Sequence, residues 1–93
     1  MIAVTRTGEG DPLQFDVVVS DQEGESRHHV TMSHATWERL SGGQAAERCI
    51  EAAFRFLLDR EGKESILARF DVTVISRYFP DFEQQLPTYL ARQ

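Results

Sequence analysis

The chain has 93 residues, 15 acidic against 10 basic, a formal charge of −5 and a single cysteine. Leu, Ile, Val and Phe fill 24 of the 93 positions, above the roughly 20% below which a charged chain stays disordered, so the length reads as one folded domain. One Cys excludes an internal disulfide framework and a thiolate zinc site; the lack of a basic-then-apolar leader and of an apolar run of ~18–20 residues points to a cytoplasmic chain with no membrane contact.

Residues 2–6 place Ile2, Val4 and Arg6 on one face of a weak strand and Ala3 and Thr5 on the other. Over residues 13–20 the alternation is clear: Leu13, Phe15, Val17 and Val19 face one way, and Gln14, Asp16 and Ser20 the other. Val18 breaks the polar side, as expected of a central strand. Residues 27–32 alternate again, with His28, Val30 and Met32 opposite Arg27, His29 and Thr31. Gly8, Gly10, Asp11 and Pro12 supply the first turn, and residues 21–24 the second, where Gly24 can take a positive φ. Three strands joined by short turns predict an antiparallel meander over residues 1–33.

At Ser33 the period changes. Ser33 reads as the N-cap of a short helix through Leu40, with Trp37 and Leu40 inward, and Gly42 and Gly43 end it. From Gln44, the residues Ala46, Cys49, Ile50, Ala53, Phe54, Leu57 and Leu58 recur at helical spacing, with Glu47, Arg48, Glu51, Arg55 and Asp59 opposite. Gly62 is expected to stop this long helix as a C′ glycine. Residues 64–70 read as one or two helical turns with Ile66, Leu67 and Phe70 inward. Over 72–79, β-branched residues favour a strand, whereas Asp71 before and Pro80 after favour a helix; helix is the preferred assignment. Residues 81–93 keep Phe82, Leu86, Tyr89 and Leu90 on one helical stripe interrupted by Pro87. The predicted fold is therefore a single α+β domain: a three-stranded antiparallel meander (1–33) followed by a helical part (34–93) packed on one face of the sheet.

The histidines His28, His29 and His34 lie close in sequence and, with Cys49, could in principle build a metal site. Adjacent strand residues point to opposite faces, so His28 and His29 cannot hold one ion without a bulge. Ser33 beside His34 is better explained as a cap than as a nucleophile and base. Gly42–Gly43 lacks the Lys and Ser/Thr of a phosphate loop. No catalytic residue, metal site or cofactor is assigned, and a small enzyme or metal protein using the histidines is the third-ranked class. The second class is a nucleic-acid-binding module, with Thr73, Ser76 and Arg77 pointing out of the helical segment 64–79. Against it, the Arg residues are interleaved with acids instead of clustered.

The first class is a non-enzymatic protein-interaction module acting as a homodimer or complex subunit. Aromatic side chains crowd the C-terminal part, and Tyr78, Phe79, Phe82 and Tyr89 are the expected contact surface, with the strand edge at residues 2–6 as a second one. The blocks Phe54-Arg55-Phe56-Leu57-Leu58, Lys63-Glu64-Ser65-Ile66-Leu67, Phe70-Asp71 and Val74-Ile75-Ser76-Arg77-Tyr78-Phe79-Pro80 resemble a group of small bacterial proteins of unknown function over roughly residues 44–83. That resemblance implies a bacterial, stand-alone small domain and carries over no catalytic residue.

Overall fold

The computed structural model describes residues 1–92. Strands β1 (Ile2–Gly8), β2 (Leu13–Asp21) and β3 (Gly24–Met32) pair antiparallel in sequence order. Their alternation is obeyed residue by residue. Leu13, Phe15, Val17 and Val19 of β2 and His28, Val30 and Met32 of β3 are buried beneath the sheet. β2 is a central strand, with Val18 half-buried on its other face. Gly24 closes the β2–β3 turn at φ 132°, a conformation open to glycine because it has no Cβ to clash.

Helix α1 (His34–Leu40) starts where predicted: the Ser33 hydroxyl accepts the Thr36 N–H at 3.1 Å. Helix α2 (Ala46–Leu58) follows and lies against β1 and the underside of the sheet. It ends earlier than Gly62. Asp59 is its C-cap, and Gly62 sits at φ −73° as the residue before a 3₁₀ turn, so Gly62 is not the expected left-handed cap. Polar contacts hold the end of α2 instead. Arg60 reaches the Phe56 carbonyl at 3.3 Å and Asp81 at 3.2 Å, and Tyr89 donates to Asp59 at 2.5 Å.

The sheet has four strands, not three. Residues 64–70 are not the predicted helical turns: a 3₁₀ turn at Lys63–Ser65 leads into extended chain and then β4 (Arg69–Asp71), parallel to β3. Three side-chain and backbone contacts pull this segment out straight. Lys63, only 9% exposed, is held by the carboxylate of Asp21 at 3.1 Å. The Leu67 carbonyl meets His28 Nδ1 at 2.7 Å, and the His29 N–H donates to the Ala68 carbonyl at 2.7 Å. Without β4, the outer edge of β3 would leave those backbone groups unpaired. In extended chain, neighbouring side chains point opposite ways. Ile66 is accordingly buried, and Leu67 is 45% exposed instead of inward.

The segment 72–79 is helical as preferred, as a 3₁₀ turn (Val72–Val74) running into α3 (Ile75–Tyr78), with Phe79 just past its end. Asp71 caps it, accepting the Thr73 N–H at 3.0 Å. Helix α4 (Phe82–Ala91) runs through Pro87 without interruption. Pro87 is exposed, so the carbonyl it leaves without an N–H partner lies on the solvent side, where water can satisfy it. α4 packs across α2 through a group of edge-on rings: Phe56 lies 5.9 Å from Phe79, 5.1 Å from Phe82 and 5.7 Å from Tyr89. On the sheet side of α2, Phe54 lies 5.3 Å from His28 and 5.9 Å from Phe70. Among the described residues, no helix is long and apolar enough to cross a membrane.

Candidate interaction groove and the histidines

The predicted contact residues divide sharply once folded. Phe82 is fully buried and Tyr89 is 6% exposed, both spent on the α2–α4 core, so neither is presented on the surface. Phe79 is half-buried, with its ring edge-on to Phe56. Tyr78 alone of the four stands clear, at 67% exposure. The helical spacing of 78, 79, 82 and 89 puts them near one another but cannot say which side α2 covers.

Tyr78 does not stand alone. It flanks a groove of about 300 Å³ between the end of α2, the extended segment before β4, and α3. Leu57, Ile66 and Ile75 are its buried lining, Phe70 and Phe79 its half-buried lining, and Leu67 and Tyr78 are among its exposed residues. Leu67 and Tyr78 are two of the three large apolar side chains that stand exposed among the described residues, the third being Met1. The one charged residue of the lining is Glu61, whose carboxylate makes no ion pair among the described residues. Sequence reasoning missed Leu67. The available signal was the adjacent pair Ile66–Leu67, which extended chain must send in opposite directions but a helical reading sends inward together.

The residues assigned to nucleic acid are mostly committed elsewhere. The Thr73 hydroxyl donates to Asp71 at 2.7 Å, and the same Asp71 accepts the Thr31 hydroxyl at 2.6 Å, tying α3's start to β3. Ser76 Oγ is buried and without a hydrogen-bond partner. Thr73 and Arg77 are both exposed, and of the two Thr73 has its hydroxyl bonded to Asp71.

The three histidines are separated. His28 is 5% exposed beneath the sheet, His29 lies on the open face within 3.0 Å of Asp16 and 3.1 Å of Gln14, and His34 is 3.2 Å from the Gly10 carbonyl. Cys49 packs in the core under α2, and burial pushes its thiol up to about 11. Among the described residues, no three His, Cys, Asp or Glu side chains converge as metal ligands.

Among the described residues, His28 holds the one hydroxyl–imidazole contact. The Leu67 carbonyl can only accept, which assigns a ring proton to Nδ1; Nε2 lies 2.8 Å from the Ser26 hydroxyl. A hydroxyl, a base and an orienting carbonyl are the parts of a nucleophile pair. Here the imidazole is packed on Phe54; its contact with Ser26 lies within β3, and its bond to the Leu67 carbonyl ties β3 to the groove's outer segment. Its chemistry is that of a clamp: it fixes the extended chain that carries Leu67.

Two ion pairs frame the fold away from the groove. Arg6 grips Glu47 with two bonds, at 3.1 and 2.8 Å, joining β1 to α2, and that hydrogen bonding holds the Glu47 carboxyl below its ordinary range. The Glu23 backbone N–H, and next Lys63, lower Asp21 in the same way.

No known protein family matches the chain, and neither a curated protein nor a solved structure matches it.

Proposed function

We propose that this chain is a protein-interaction module, working as a homodimer or as a subunit of a small complex, and that it engages its partner through the Leu67–Tyr78 groove. The observation that supports this reading is the exposure of two large apolar side chains, Leu67 and Tyr78, in the lining of one apolar depression. Exposed apolar residues scattered singly need no explanation, but a pair sharing a groove with a buried apolar lining is the shape that receives an apolar anchor. Tyr78 suits the role because its ring contacts apolar surface while its hydroxyl stays wet. The unpaired carboxylate of Glu61 favours a partner segment that places a basic residue beside its apolar anchor. A nucleic-acid reading has less behind it, since of Thr73, Ser76 and Arg77 only Arg77 is free to meet a phosphate.

A photo-reactive residue placed at position 78, and as a control at the exposed Gln84 of α4, tests the reading in the cells the protein comes from. The expected result is a discrete protein adduct from position 78 alone, lost when Leu67→Ser is added. Adducts that are equal from both positions, or unaffected by Leu67→Ser, refute it.

A further inference from the structure

We infer that the free edge of β1 is a self-pairing surface, through which two copies of this chain join their sheets into one continuous sheet. This deepens the interaction-module reading by giving self-association a surface of its own, and it does not depend on the groove.

The backbone phase of β1 is determined at its start. Met1 and Ser20 exchange both hydrogen bonds, at 2.9 and 2.6 Å. Bonded and non-bonded pairs alternate along an antiparallel ladder. In the register Ala3↔Val18 and Thr5↔Asp16, those two residues therefore spend their N–H and C=O groups on β2. The groups of Ile2, Val4 and Arg6 point away from β2, and β1 is the terminal strand of the sheet, with no strand paired beyond it among the described residues. A bulge between Arg6 and Gly8 ends the regular stretch there.

This edge is its own complement. Antiparallel pairing about a two-fold axis at Val4 sets Val4 against Val4 and Ile2 against Arg6 of the second copy, and each of those pairs exchanges two N–H···O bonds. Every outward-pointing group from Ile2 to Arg6 is then used. Ala3 falls opposite Thr5 on the open face, so no side chain meets a like charge. Arg6 is the only charge in β1 and is already neutralised by Glu47; the two copies of Arg6 stand about 14 Å apart along the strands at ~3.4 Å per residue. The two-fold axis is perpendicular to the sheet, which keeps both helical layers on the same side and brings the two α2 helices side by side.

The opposite edge carries the devices that prevent such pairing. β4 is three residues long with Arg69 exposed, and beyond it β3 displays the ion-paired Glu25 and Arg27. β1 has no Pro, no Lys and no acidic residue, and its open-face positions are Ala3, Thr5 and Thr7. One edge is blunted and the other is left able to pair.

Sedimentation velocity over a concentration series, with the wild type and two charge variants, tests this. Ala3→Lys with Thr5→Lys opposes two Lys pairs across the two-fold; Ala3→Glu with Thr5→Lys replaces them with two attractive pairs, at side chains that face solvent in the single chain. The wild type is expected to dimerise, and the Lys/Lys variant to dissociate about tenfold more readily than the Glu/Lys variant, as two cross-strand pairs switch from attraction to repulsion. Hydrogen exchange at the Val4 and Arg6 amides is expected to slow as the dimer forms. A wild type that stays monomeric overturns the proposal. So does a dimer equally stable in both variants, a result that moves self-association elsewhere and leaves the groove reading standing.

Discussion

His28 offers the most direct check on how the outer segment of the groove is held, because one ring carries two hydrogen bonds and a core contact. Replacing His28 with Phe keeps the volume and the packing on Phe54 but removes the bonds to the Leu67 carbonyl, at 2.7 Å, and the Ser26 hydroxyl, at 2.8 Å. Half-buried Ser26 can turn its hydroxyl to water at little cost, so the larger share comes from a part-buried carbonyl left without its donor, about 1–3 kcal/mol. The expected loss for His28→Phe is about 2 kcal/mol. His28→Ala also removes the ring from a site only 5% exposed, and the combined loss rises to about 3–4 kcal/mol. Against a total stability of roughly 5–14 kcal/mol for a chain of this length, both variants remain folded and measurable. Urea titration followed by Trp37 fluorescence and far-ultraviolet circular dichroism gives the two values. The His29 amide, bonded to the Ala68 carbonyl, should lose exchange protection in both, since β4 is held to β3 beside the clamp. A Phe variant within about 0.5 kcal/mol of the wild type, with that amide still protected, would falsify the clamp.

Cys49 is 1% exposed with its thiol pushed up to about 11, so at neutral pH a thiol reagent should label it only as fast as the chain opens; rapid labelling without denaturant contradicts its place in the core. The Glu47 carboxyl, lowered by Arg6, contributes stability that is present above its unfolded-state value of roughly 4.3 and is lost as pH falls through its lower folded value. Glu47→Gln should therefore cost about 0.5–1 kcal/mol near pH 6, a figure kept small by the 40% exposure of that side chain, and flatten the acid limb of the stability curve; an unchanged acid limb counts against the pair. Gly24→Ala forces a Cβ into a turn at φ 132° and should lower stability by about 1–3 kcal/mol, read from the thermal midpoint; no loss would mean that the β2–β3 turn relaxes freely.

Where burial follows from local alternation, the residues themselves were sufficient. Phe15 and Val17 face inward because a strand with one covered face permits no other arrangement, and Ser33 caps α1 because its hydroxyl lies within reach of an N–H three residues on. The same holds for the segregation of His28 from His29. The candidate site was half legible. Tyr78 was picked out by its aromatic neighbours, but Phe82 and Tyr89 carry the same apolar signal and lie in the core, since hydrophobicity does not distinguish a side chain that covers α2 from one left outside it.

By itself, then, the sequence determined the meander, the Ser33 and Asp71 caps, the amphipathic stripe of α2 and the α+β class, all of which depend on neighbours a few residues away. Only the tertiary structure decided the fourth strand, the second buried face of α2 and the groove. β4 exists because β3 has an open edge and because Asp21 and His28, 42 and 39 residues distant from their partners, seize Lys63 and the Leu67 carbonyl. Phe56 and Ala52 lie off the expected stripe and are fully buried because α4 returns across the far side of α2. Such contacts leave no period in the sequence: each joins segments whose separation along the chain is set by the fold, and the free energy that holds them appears only when both surfaces have already formed.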